Sequence, residues 1–175
     1  ATNMTKVSTT VYTFSYSVPV GDGTGTITLS QGTDQAGNVI TANPTSGNTF
    51  SVDNTAPVIS QVTAITTPGN DNTPSYVFSS DQLGTITSNL AFSSTTSASI
   101  GNNTITFNTL ADGTYTGKTI TVTDAAGNAS NTLTIPDFVI DTTLPVLTLI
   151  GANPLPAELG NAFTDPGATS NGGET

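Results

Sequence analysis

Three short motifs occur twice in this chain, in the same order, and that repeat constrains the fold more than any other feature. Asp-Gly-Thr stands at 22–24 and again at 112–114. Asp-x-Ala-Gly-Asn runs over 34–38 and 124–128. Val/Ile-Asp-x-Thr-x-Pro runs over 52–57 and 140–145. The second motif begins 12 residues after the first in both copies, and Pro57 lies 88 residues before Pro145. A unit of that length is too long for a solenoid turn, but it fits one β-sandwich module.

Between the motifs, polar and apolar residues alternate. Residues 24–29, 104–107, 119–123 and 132–135 place aliphatic or aromatic side chains on one face and mainly Thr on the other, the period of a half-buried strand. Gly, Asn, Asp and Pro separate these runs, and no amphipathic helix is evident. The expected class is all-β. The expected core draws on Val58, Ile59, Val62, Val77, Phe78, Ile86, Leu90, Ile105, Phe107, Ile120, Val122 and Leu133. Residues 119–123 and 132–135 are expected in one sheet, and residues 138–140 as the closing strand.

The stretch 110–115 ahead of a strand over 118–123 reads as a tyrosine corner, with the Tyr115 hydroxyl reaching back to the main chain. Copy one has Gly25 in place of Tyr115, so its corner must differ. The Asp-Ala-Ala-Gly-Asn turn needs a positive φ at Gly127.

The repeat divides the chain into three parts. Residues 57–144 form one complete module. Residues 1–56 correspond to the later strands of a module, and residues 145–175 to the opening strands of another. A 31-residue piece cannot bury a sandwich core by itself. Two arrangements follow: a stretch of a longer tandem array, or subunits in which 145–175 of one chain complete 1–56 of the next by strand donation. The partners are then neighbouring modules or identical subunits.

Composition narrows the function. Twelve acidic against two basic residues give a net charge of −10. Lys6 and Lys118 cannot form a phosphate-binding patch, so nucleic acid is not an expected partner. An anionic membrane surface would repel the chain, and no apolar run is long enough to insert. Only 8% of residues are charged, and Thr, Ser and Asn supply the polarity instead. With no Cys or His, there is no thiolate or imidazole chemistry. Carboxylates spread one per loop do not form the facing pair a glycosidase needs. No catalytic residues are expected, and no enzyme.

The segments "TVTDAAGNAS" at 121–130, "VDNTAP" at 52–57, "IDTTLP" at 140–145 and "ITFNTLADGTYT" at 105–116 resemble the bacterial immunoglobulin-like repeats of large surface adhesins and biofilm proteins. The final 31 residues, with Asp-Pro-Gly-Ala at 165–168, resemble the opening of a related module type. The resemblance implies tandem immunoglobulin-like β-sandwiches, an extracellular or cell-surface location, and a structural role as rod, stalk or filament element. The alternative is a carbohydrate-binding or other ligand-binding adhesin module, although there is no Trp to stack on a sugar.

Calcium is the one ligand considered. It takes six to eight oxygens, and related adhesin repeats hold it at module junctions. The candidate ligands are Asp34, Asn38, Asp53, Asp124, Asn128 and Asp141. The competing role for the same residues is turn formation through Asx bonds. Some surface modules also form a Lys–Asn isopeptide bond, for which Lys6 and Lys118 are the available amines.

Overall fold

A computed structural model describes residues 4–8, 11–29, 32–33, 35–39, 46–152, 154 and 156–171. Among these residues the chain is strand and turn, with no helix. Four short strands come first: β1 (Thr5–Lys6), β2 (Tyr12–Thr13), β3 (Gly23–Thr26) and β4 (Thr49–Val52). The central region holds β5 (Ile59–Thr63), β6 (Ser75–Ser80), β7 (Gly84–Ser88), β8 (Ser97–Ala98), β9 (Gly101–Thr106), β10 (Gly113–Tyr115), β11 (Lys118–Thr123), β12 (Leu133–Ile135) and β13 (Phe138–Ile140). Two strands follow, β14 (Leu147–Leu149) and β15 (Ala168–Ser170).

The central region has two main sheets. One runs β5-β6-β9, the other β12-β11-β7-β8, and neighbours within each are antiparallel. Side chains alternate along β6 and β11, burying Tyr76 and Phe78 on one strand and Ile120 and Val122 on the other. Both sets belong to one core cluster with Ile86, Ile105, Phe107, Ile135, Phe138 and Ile140. Two sheets sharing one apolar layer form a β-sandwich type of fold. Burying one of these large apolar side chains contributes about 1.5–3 kcal/mol.

The same alternation leaves Thr on the outer face. Thr87 and Thr121 are cross-strand partners with hydroxyls 2.6 Å apart. Such pairs stabilise a solvated sheet without charge.

β10 pairs with β13, and Gly69 makes a parallel bridge to Ile140. The chain after β5 therefore reaches the edge of β13. Thr67 Oγ1 accepts the Val139 N–H at 2.9 Å, and the Asp141 N–H donates to the Gly69 carbonyl at 2.9 Å.

Seven of the expected core residues are buried: Ile59, Phe78, Ile86, Ile105, Phe107, Ile120 and Val122. Val77, Leu90 and Leu133 are half-buried. Val58 and Val62 are corrections, at 62% and 45% exposed. Val58 precedes β5, and with Ile59 turned inward the alternation of the strand puts both Val58 and Val62 on the outer face. Ile65 and Tyr76 are buried instead, and the Tyr76 hydroxyl donates to Gln61 Oε1 at 3.2 Å.

Candidate functional site

The repeated motifs meet in space, and their meeting explains why they repeat together. β3 pairs with β4 so that Gly23 faces Val52, and β10 pairs with β13 so that Gly113 faces Ile140. This register brings the Asp of each Asp-Gly-Thr beside the Asp-x-Thr that follows the partner strand. Asp22 Oδ1 accepts the Asn54 N–H at 2.6 Å, and Asp22 Oδ2 accepts the Thr55 hydroxyl. Asp112 Oδ1 accepts both the N–H (2.9 Å) and the hydroxyl (2.7 Å) of Thr142, and Oδ2 accepts the Thr143 hydroxyl at 2.8 Å. Inside each Asp-x-Thr a second bond fixes the turn. Asp53 Oδ1 accepts the Thr55 N–H at 3.1 Å, and Asp141 Oδ1 accepts the Thr143 N–H at 3.0 Å.

These bonds favour the ionised carboxylate. Hydrogen bonds from Thr55 and from the Asn54 main chain hold Asp22 below the ordinary carboxylate value, against small opposing effects of desolvation and the charge of Asp124. Hydrogen bonds from Thr142 and Thr143 lower Asp112 in the same way.

The Asp-x-Ala-Gly-Asn motif is a closed turn. Asp124 Oδ1 accepts the N–H groups of Ala126 (2.9 Å) and Asn128 (2.8 Å), and Oδ2 accepts the Asn128 side-chain amide at 2.9 Å. The Asn128 amide, then the main-chain donors, depress the Asp124 pKa against desolvation. Gly127 takes φ 97°, which a side chain would strain. In copy one, Gly37 takes φ 88°, and Thr33 bridges Val39 as Thr123 bridges Ala129. Asp34 lies outside the described residues. Asn38, four residues on, is exposed.

Of the candidate calcium ligands, the structure brings Asp53, Asp124 and Asn128 to one place. Asn128 Nδ2 donates to the Asp53 carbonyl at 3.0 Å as well as to Asp124. Gln82 Nε2 donates to the Thr55 carbonyl at 3.1 Å across the same joint. Asp141 is elsewhere, beside Asp112 and Thr143. Among the described residues, no three or more acidic side chains gather closely enough to hold a metal ion. The oxygens of Asp22, Asp112 and Asp124 accept the protein's own donors.

The tyrosine corner is present. The Tyr115 hydroxyl donates to the Ala111 carbonyl at 2.9 Å, and its ring stacks on Phe138 with centroids 5.1 Å apart and planes 9° off parallel. In copy one, Gly25 faces Phe50 as Tyr115 faces Phe138. A Cβ at Gly25 would clash with the edge of the Phe50 ring. The aromatic of β4 thus covers the glycine that replaces the tyrosine.

Sequence reasoning missed three asparagines that stand in for main chain. Asn131 accepts from the Ile59 N–H (2.9 Å) and donates to the Ile59 carbonyl (3.0 Å), tying β5 to the start of β12. Asn89 does the same between Thr119 N–H (2.9 Å) and the Gly117 carbonyl (3.1 Å). Asn103, 8% exposed, satisfies Ser99 and Gly101 in the turn before β9. Their only sequence signal is an Asn close to a strand end.

Shallow hollows lie on the surface of the described residues. One is lined by Pro156, Glu158, Asn161 and Phe163 among others, the second by Thr87, Asn89, Thr119 and Thr121 on the outer face of the β7–β11 pair. Neither pairs two carboxylates. Lys6 is exposed on β1, and Lys118 is half-buried opposite Ile135 on β12. No family model matches the chain, and neither a curated protein nor a solved structure matches it.

Proposed function

We propose that the chain is a non-catalytic, extracellular structural element, a rod, stalk or fibre segment of a surface adhesin or filament, built from immunoglobulin-like sandwich modules in tandem. The observation that carries this reading is the duplicated clasp, Asp22 on Asn54 and Thr55, then Asp112 on Thr142 and Thr143. One end structure made twice, 90 residues apart at its Asp, is the economy of an array. The paired sheets, the parallel Gly69–Ile140 bridge and the Tyr115 corner support the immunoglobulin-like type.

In this reading the joint is a stiffening device. Asn128 and Gln82 of the central module hold the main chain of Asp53 and Thr55, and Pro57, fully buried, limits the swing of the link. The carboxylates of Asp22, Asp112 and Asp124 serve turns and clasps. Strand donation between identical subunits belongs to the same reading.

The test is length. Duplicating residues 57–144 within the chain should lengthen the particle along one direction by about 35 Å, the span of about eleven extended residues at about 3.3 Å per residue, which is a six-residue strand such as β11 with the turns at its ends. Small-angle scattering reads this directly. A particle that grows equally in all directions would reject the rod.

A ligand-binding adhesin module is the second reading, because Phe14 and Tyr16 are exposed and stacked with centroids 6.4 Å apart. Glycan-array binding that disappears in Tyr16→Ala would favour it.

A further inference from the structure

We propose that each clasp is also a chemical guard: it keeps an Asp-Gly bond from closing to a succinimide, and Asp112 converts to isoaspartate once its clasp is opened.

Asp-Gly is the aspartyl pair most prone to this reaction, because glycine puts no side chain in the way of the attacking main-chain nitrogen. Asp is followed by Gly at 22–23 and 112–113 alone, and both pairs lie in the clasps. The fold requires them there. Gly23 takes φ 153° and Gly113 φ 152°, a region that side chains rarely adopt. A Cβ at either glycine would meet nothing within 4 Å, so the glycine answers to backbone conformation and not to crowding. The aspartate answers to a different need, the donors of Asn54 and Thr55 in one copy and of Thr142 and Thr143 in the other. Two separate demands thus impose a hazardous pair at the same place twice.

The reaction sets two conditions. The Gly113 nitrogen attacks Asp112 Cγ and a C–N bond forms. The carboxyl hydroxyl leaves with the amide proton as water, and a five-membered succinimide remains. Water then opens the ring at either carbonyl. One product is aspartate again, and the other is isoaspartate, whose main chain runs through Cβ and Cγ, with no net change of mass. Cγ must therefore turn onto its own following nitrogen, and the carboxyl must be protonated, because an ionised oxygen does not leave.

The clasp opposes both conditions. Asp112 Oδ1 accepts the Thr142 N–H at 2.9 Å and its hydroxyl at 2.7 Å, and Oδ2 accepts the Thr143 hydroxyl at 2.8 Å. Both oxygens are tied to the chain leaving β13, so Cγ cannot turn without breaking these bonds. The same donors favour the ionised form and hold the Asp112 carboxyl below its ordinary value. Closure has to wait for a local opening. Isoaspartate adds one main-chain atom ahead of β10, where Gly113 faces Ile140, so the clasp cannot re-form in its old register.

The test keeps the full chain at neutral pH for several weeks. It is then unfolded and digested with a protease that cuts before Asp but not before isoaspartate, and the uncut fraction at residue 112 is read by mass spectrometry. The folded chain should convert Asp112 far more slowly than the same chain held in guanidinium chloride. Thr142→Ala combined with Thr143→Ala should speed conversion at Asp112 about tenfold, the factor expected from losing two hydroxyl hydrogen bonds, and leave Asp22 unchanged. Tyr115→Phe weakens the same region without touching the clasp, and its rate should stay close to that of the unsubstituted chain. Equal rates in the folded and denatured chains, no increase in the double variant, or an equal increase in Tyr115→Phe overturns the proposal. If the double variant loses its β spectrum, Thr143→Ala is compared with Thr143→Ser, which keeps the hydroxyl. The Ala variant should then convert severalfold faster than the Ser variant, and equal rates again overturn the guard.

Discussion

Asp112 accepts twice from Thr142, once from its main-chain N–H and once from its hydroxyl, and so fastens the turn before β10 to the chain leaving β13. Asp22 holds Asn54 and Thr55 at the equivalent place in the first copy. A single carboxylate with two or three local donors is a cheap way to fix where a chain leaves a sheet.

Replacing Asp112 tests that role. Asp112→Ala should lower the midpoint of thermal unfolding of the central region, and Thr142→Ala should lower it less, because the Thr142 N–H can still reach the carboxylate. Combining the two should cost less than the sum of the singles, as expected for groups that share bonds. A strictly additive pair would show that the clasp does not act as a unit.

Acid should loosen the same contacts. The folded pKa values of Asp22, Asp112 and Asp124 lie below the carboxylate value of 3.8. The unfolded chain therefore takes up protons first as the pH falls. The stabilisation is fully present at neutral pH, starts to fade near the unfolded value, and is gone below the folded values. Asp22 and Asp112 are exposed and Asp124 is half-buried, so the effect is modest. Asp112→Asn should flatten the acid limb of a stability–pH curve while leaving its shape above about pH 6 unchanged.

Asn131 should matter more than its exposure implies. It makes two part-buried bonds to Ile59, which joins β5 to the opposite sheet. Asn131→Ala leaves an N–H and a carbonyl without their partner and should cost about 1–3 kcal/mol in denaturant unfolding. Asn131→Asp keeps the acceptor and loses the donor, and should fall between the two.

The aromatic pair separates hydroxyl from ring. Tyr115→Phe keeps the stack on Phe138 and loses the bond to Ala111, which should cost about 1 kcal/mol. Phe138→Ala removes a fully buried ring and should cost about 3–5 kcal/mol. Gly25→Tyr should destabilise the β3–β4 pair rather than install a corner, because the Phe50 ring already occupies the space.

The joint predicts a loss of order without a loss of fold. Asn128→Ala breaks the bond to the Asp53 carbonyl, and Gln82→Ala breaks the bond to Thr55. The Gln82 change should leave unfolding of the central region nearly unaltered. Both should broaden the distribution of shapes in small-angle scattering, if the segment through Thr55 is held to the central region by these bonds as proposed.

The all-β class, the strand at 118–123, the turn at Gly127 and the Tyr115 bond were legible because each depends on neighbours in sequence. Period two places Ile120 and Val122 inward whatever lies across the sheet, and a positive φ demands glycine locally. Val58 and Val62 were misplaced because valine is apolar on either face, and only the inward turn of Ile59 fixes which parity of β5 meets the core. The asparagine bridges were invisible for a related reason. Asn131 finds Ile59 across 72 residues, and nothing near either residue announces the other.

The sequence by itself determined that these residues form strands, where the turns fall, and that one set of motifs serves two units, since alternation, glycine and repetition are properties of the chain taken in order. Tertiary structure alone decided what the motifs are for. Only when β10 lies against β13 does Asp112 reach Thr142, and only when the central turn meets the preceding segment does Asn128 reach Asp53. Hydrogen bonds act over about 3 Å, so a residue's partner is fixed by strand register and sheet packing, which a linear spacing does not contain.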